Sequence, residues 1–130
     1  MNGKTRRIAL LLAILTILLC GCGNVKHVQI VRNEHSELFS DRDIQQAMAA
    51  VKRYFRLVFS GCTLTRLEYA GDERTRQEGN GPAIVLYATF DVDASGGDGS
   101  FEPNTTYDHW GFILKKNIFG AWRVADFGYG

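Results

Sequence analysis

Asp91, Asp93, Ser95, Gly96 and Glu102 stand at relative positions 1, 3, 5, 6 and 12 of one stretch, the spacing of a calcium loop. The chemistry such spacing serves is oxygen coordination. Alternate carboxylates converge on a hard cation, a glycine at the sixth position permits a sharp turn, and the last glutamate closes the shell with two oxygens. Asp98 adds a further carboxylate. Three features depart from the pattern: Asp98 fills the eighth position, which is normally apolar, a strand-like run precedes Asp91, and Pro103 follows Glu102, so flanking helices are not expected. Two readings follow. One is a weak calcium site of about 10⁻⁴ to 10⁻³ M, suited to calcium outside a cell. The other is a solvated Gly-rich connection whose carboxylates keep a sheet rim soluble.

Acid–base work has its own candidates in Tyr87, His109 and Asp126, with Asp91 as a fourth carboxylate or phenol of the right type. Their spacing selects no reaction. The chain has no paired-histidine metal motif, Gly-x-Ser-x-Gly elbow, phosphate loop or Cys-x-x-Cys pair. A small-ligand pocket or hydrolase-like site would need His109, Asp126 or Tyr87 inside a deep apolar cavity between helix and sheet. A third kind of surface is aromatic, since Phe101, Tyr107, Trp110, Phe112, Phe119, Trp122, Phe127 and Tyr129 put eight of the fifteen aromatic residues after position 100. Some of them must form the core. Whichever of Tyr87, Tyr107, Phe119 and Tyr129 stay outside would make a partner surface.

The elements that position these groups are legible in the hydrophobic periodicity. Ile44, Ala47, Met48, Val51, Tyr54, Phe55 and Val58 recur at spacings of three and four, which predicts one long helix. Ser40 caps it, Asp43 three residues on completes a capping-box pattern, and Gly61 ends it. Arg42, Lys52, Arg53 and Arg56 then take the solvent side. After Gly61 the period becomes two, and strands are expected over 63–69, 83–92, 107–115 and 121–127. The connections are a charged loop at 71–81, a long Gly-rich loop at 94–106 and a short hairpin turn at 116–120. One helix followed by sequential strands is an α+β meander, with the helix laid across the concave face of a curved, four-stranded antiparallel sheet.

The start of the chain speaks of location. Lys4, Arg6 and Arg7 precede an apolar run of 12 residues at 8–19, too short against the ~20 residues that span a bilayer, and small residues follow. Leu19-Cys20-Gly21-Cys22 resembles the lipobox of bacterial lipoproteins: an aliphatic residue, a tolerant position, a small residue and the modified cysteine. Cys20 is a poorer acceptor, because Leu19 would then occupy the position of the small residue. The resemblance implies cleavage before Cys22, a diacylglycerol thioether on its sulfur and stable attachment through acyl chains such as palmitate, since two chains hold where one does not. Residues 1–21 are then the signal peptide, 22–39 the lipidated cysteine and a tether, in which Val28 and Ile30 alternating around Gln29 hint at one short edge strand, and 40–130 the α+β domain. Loss of 1–21 removes three basic and no acidic residues, taking 15 basic against 14 acidic side chains to 12 against 14. That balance gives no basic field for nucleic acid. Cys62 is left without a partner, and between Phe59 and Leu64 it reads as a small core residue rather than a nucleophile.

A second resemblance lies in the domain. The order of elements and the ending Gly120-Ala121-Trp122-Arg123-Val124-Ala125-Asp126-Phe127-Gly128 look like the last strand of NTF2-like and cystatin-like α+β domains. Phe59-Ser60-Gly61-Cys62-Thr63-Leu64, with Tyr107-Asp108-His109-Trp110, is similar to a set of small bacterial lipoproteins with no known activity. One convincing helix where full NTF2-like enzymes have three implies that a closed substrate cone is absent. The expectation is a protein lipid-anchored in the bacterial cell membrane and facing outside the cytoplasm. Its domain binds an envelope partner without catalysis, and the calcium loop at 91–102 or a hydrolase-like pocket stands as the alternative.

Overall fold

A computed structural model describes Lys4 and residues 22–31, 35–78 and 81–129; the segment expected to be an export signal, 1–21, apart from Lys4, lies outside the described residues. Helix α1 (Asp41–Val58) forms where the periodicity predicts it. The Asp43 amide donates to the Ser40 hydroxyl oxygen at 3.1 Å, and that hydroxyl donates to the Asp43 carboxylate at 3.0 Å. The shorter aspartate thus closes the capping box on the hydroxyl instead of reaching the backbone amide as a glutamate would. Ile44, Ala47, Met48, Val51 and Phe55 are buried, whereas Val58, expected on the same stripe, is half out because the helix ends there. Gly61 then turns the chain at φ +71°, and a Cβ on it would stand 2.6 Å from the Ser95 hydroxyl oxygen.

The sheet has five strands, in the spatial order β1 (Gln29–Val31), β2 (Cys62–Tyr69), β3 (Ile84–Val92), β4 (Thr106–Lys116) and β5 (Trp122–Tyr129). Four of them form the expected antiparallel meander, with β2 to β3, β3 to β4 and β4 to β5 paired in turn. The fifth corrects the four-stranded antiparallel expectation: β1 runs parallel to β2, so the sheet is mixed. The direction follows from connectivity, because α1 is the crossover between the two strands, and only a crossover of that length returns a chain parallel to itself.

Residues 22–31 also differ from a tether. The Gly23 amide donates to the Arg56 carbonyl, the Asn24 amide to the Cys62 carbonyl, and the Leu64 amide to the Asn24 carbonyl, each at 2.9 Å. A Cβ on Gly23 would come within 2.5 Å of the Phe55 carbonyl oxygen, so this residue is pressed against the end of α1. Val25 and Val28 pack on the core. The charged loop contains a second, short helix, α2 (Asp72–Gln77). It is held through Asp72, which accepts from the Ser36 hydroxyl at 2.5 Å, the Tyr69 hydroxyl at 2.6 Å and the Glu37 amide at 2.8 Å. Desolvation works against the Asp72 carboxylate, yet the hydrogen bonds from Ser36, Tyr69 and Glu37 leave its pKa below the ordinary value.

Between α1 and the sheet the space is filled. Phe55, Leu64, Leu67, Leu86, Phe90, Phe112 and Leu114 are fully buried there. At the other end of α1, the Trp122 indole N–H donates to the Asp43 carboxylate at 3.1 Å, and Lys116 Nζ lies 3.7 Å from the same oxygen. The Trp122 bond is the largest of the effects that hold the Asp43 pKa below its ordinary value. A carboxylate with a lowered folded pKa contributes stability above its unfolded pKa and loses it as pH falls through the folded value. Trp122→Phe is therefore expected to cost about 1 kcal/mol at neutral pH, discounted because the Asp43 side chain is 28% exposed. It should also flatten the loss of stability on acidification below about pH 4, where this carboxylate titrates. Denaturant unfolding at pH 7 and pH 3 checks both.

Candidate functional site

Phe59 caps the C-terminus of α1, and around its ring the aromatic residues of the last third of the chain converge. It stacks on Phe55 at 4.7 Å and on Phe101 at 5.7 Å, and meets Phe90, Phe112 and Phe127 between 5.5 and 5.8 Å. Trp110 stands edge-on to Phe90 and Phe101, and Tyr129 leans on Trp110 at 5.2 Å. The Trp110 indole N–H is buried and, among the described residues, finds no acceptor. Buried donors in native proteins are nearly always paired, so this one marks the floor of the aromatic surface as unusual. Beside Phe59 a shallow hollow of about 170 Å³ is lined by Val58, Ser60, Gly97, Phe101 and Phe127 among others. Phe127 of that lining is 40% exposed, and Tyr129, two residues on, is 71% exposed. Both belong to β5, the edge strand of the sheet.

Of the aromatic residues expected outside, Tyr129 and Phe119 are exposed. Tyr107 is stacked on Phe90 at 5.3 Å, and Tyr87 is half-buried on the face of the sheet away from α1. Periodicity alone did not mark Phe127, Val58 or Ile118 as surface residues. The hairpin turn Asn117-Ile118-Phe119-Gly120 carried the one usable signal, two large apolar residues where a turn should be polar.

Two carboxylates of the calcium-like loop are held by hydroxyl and amide donors nearby. Asp91 accepts from the Thr106 hydroxyl at 2.6 Å on the neighbouring strand. Asp93 accepts from the Ser95 amide at 2.8 Å and from the Ser95 hydroxyl. Those two Ser95 bonds, the hydroxyl first, lower the Asp93 pKa. Asp98 sits at φ +60° beside the hollow, and Glu102 is held through its amide, which donates to the Tyr107 hydroxyl at 3.2 Å. Among the described residues no group of three or more His, Cys, Asp or Glu side chains is placed to hold a metal ion. The glycines have another use here. A Cβ on Gly96 would stand 2.8 Å from the Phe101 carbonyl oxygen and one on Gly97 2.7 Å from the Phe101 ring, so the loop closes tightly around this residue, which packs against the core.

Tyr87, His109 and Asp126 all lie on the sheet face opposite α1. Tyr87 and His109 come together, with ring centroids 5.3 Å apart. His109 is at φ +52°, where Asp108 and His109 bulge opposite Thr89. Asp108 accepts from the Thr89 hydroxyl at 2.6 Å and the His109 amide at 2.9 Å, which lower its pKa in that order, and its second oxygen lies 3.5 Å from His109 Nδ1. Asp126 is apart from them, across from Ile113, in an open hollow of about 310 Å³ with Glu78, Ala83 and Lys115. The expected cavity between helix and sheet is occupied by core side chains, and none of the three groups points into that space.

Cys62 is buried, and its thiol lies 3.6 Å from the Ser60 carbonyl. Burial, with the charges of Asp93 and Asp98 adding to it, pushes its pKa up to about 11, so at neutral pH it is a protonated thiol. Compared with known proteins, the chain matches no family model, no curated protein and no solved structure.

Two outcomes are expected. Asp93→Ala should lower the melting temperature equally with and without millimolar calcium, because its role is to hold Ser95; a calcium-dependent rise in the unmodified chain that this variant loses would restore the ion site. With Cys20 and Cys22 replaced by serine, Cys62 should react with a thiol reagent only after denaturation, and rapid modification of the folded chain would contradict its burial.

Proposed function

We propose that this chain is a bacterial lipoprotein, acylated on Cys22 and held at the outer side of the cytoplasmic membrane or beyond it, whose one domain binds an envelope protein without catalysing a reaction. Its anchor rests on the sequence of the first 22 residues. Binding is supported chiefly by the β5 edge, where exposed Phe127 and Tyr129 border an aromatic cluster with a buried, unaccepted indole N–H. An edge strand presents backbone N–H and C=O groups to a second chain, and side-chain hollows beside it supply selectivity. The Val58–Phe101–Phe127 hollow would take one apolar side chain of such a strand. Catalysis has less support, because Tyr87, His109 and Asp126 lie on an open face and select no reaction.

Metabolic labelling with radioactive palmitate should mark the wild type and leave the Cys22→Ala variant unlabelled and released from the membrane. A photo-crosslinking amino acid at position 129 should give a discrete adduct in intact cells. The same group at Asp126, on the opposite sheet face, should not. Equal adducts from both positions, or none from 129, would remove the β5 edge as the binding surface.

A further inference from the structure

We infer that the domain lies flat on an anionic bilayer, with the outward side of α1 and the β4–β5 hairpin tip as the contact face; this rests on acylation of Cys22. The observations are independent of the β5 edge. Beyond Asp43 the helix carries no acidic residue, and its last two turns present Lys52, Arg53 and Arg56, with Leu57 69% exposed. The hairpin tip adds the two most exposed large apolar side chains of the described domain, Ile118 at 94% and Phe119 at 86%. Two hollows join these pieces: one is lined by Gln46, Ala49, Arg53, Phe119 and Arg123, the other by Arg53, Tyr54, Leu57 and Arg123. Arg53 and Arg123 belong to both, so helix and hairpin form one continuous surface, basic with apolar points. From position 115 to 125 the hairpin contributes no acidic residue either. The ion pairs given by Arg66–Glu68, Arg74–Glu78 and Lys116–Asp43 lie outside the four basic residues Lys52, Arg53, Arg56 and Arg123.

The anchor selects a bilayer as the occupant. Gly23 is buried, with its amide on the Arg56 carbonyl at 2.9 Å, so the Cys22 α-carbon is one peptide unit of about 3.8 Å from a residue fixed on the last turn of α1. No slack holds this end of the helix off the lipid. The hairpin tip lies toward the opposite end, where Lys116 and Trp122 reach Asp43 in the first turn. An 18-residue helix is about 27 Å long, so the acyl chains and the Ile118–Phe119 tip give two points of contact with the basic face between them. Basic side chains at that spacing meet anionic headgroups, and apolar side chains at a turn tip enter the acyl boundary.

The test uses the full chain, processed and acylated in cells, then reconstituted into vesicles of phosphatidylglycerol and phosphatidylethanolamine. Phe119→Cys, an exposed position whose change spares the core, carries an environment-sensitive nitrobenzoxadiazole label; buried Cys62 stays unlabelled. Asp126→Cys on the opposite sheet face is the reference. The expected result is a blue-shifted emission at 119 that brominated lipid quenches, with the 126 label remaining in water. Arg53→Glu with Arg123→Glu should return the 119 label to water while the chain still floats with the vesicles. A wild-type chain that floats with its 119 label in water overturns the flat orientation alone and leaves that face to a protein partner. A chain that does not float overturns the anchor and the orientation together.

Discussion

The ring of Phe59 is the contact on which this domain depends. It caps α1, stacks on Phe55 from the helix and Phe101 from the long loop, and touches β3, β4 and β5 through Phe90, Phe112 and Phe127. Five separately ordered elements share that side chain as a common wall. Close-packed interiors transmit a change of volume at such a point to every neighbour, so the end of the helix, the loop and the edge strand cannot be positioned independently. The aromatic surface at β5 is the outer margin of the same packing.

One helix covers one face of a five-stranded sheet, and this asymmetry divides the chemistry of the molecule. On the α1 side the outward residues beyond Asp43 are basic and apolar, whereas the opposite sheet face carries Asp108, His109 and Asp126. The glycine-rich loop lies at the junction. Its carboxylates are spent on neighbours of their own: Asp91 on Thr106 and Asp93 on Ser95. One of these bonds ties β3 to β4 and the other holds the turn that leads to Phe101.

What the sequence revealed and concealed follows from the range of the interactions involved. The helix was legible because its stripe, its Ser40 cap and its glycine stop are all local. The β3 alternation was legible for the same reason, since Ile84, Leu86, Ala88, Phe90 and Val92 are all buried as the period requires. Strand β1 was only hinted at, because three residues hold their place by pairing with Arg66, Leu67 and Glu68 across a helical crossover. Helix α2 has one buried residue, Thr75, and so no apolar stripe to read; Ser36, far away in sequence, fastens it. The bulge at Asp108–His109 puts Tyr107 and Trp110 on the same side, which strict alternation forbids. For the candidate site, parity could mark Tyr129 as peripheral but could not place Phe127 or Val58 at a rim, because their exposure depends on where the helix ends.

The parallel edge formed by Asn24 and β1 has a mechanical consequence. A pull applied at Cys22 would load the Gly23–Arg56 and Asn24–Cys62 hydrogen bonds before any contact of the antiparallel meander. Those bonds belong to a short edge, and they would break one after another while the aromatic packing held. Peeling residues 23–39 away from the rest would release about 60 Å of extended chain. The segment that leaves no slack at rest is thus a stored length, and tension would convert a domain pressed against Cys22 into one on a leash.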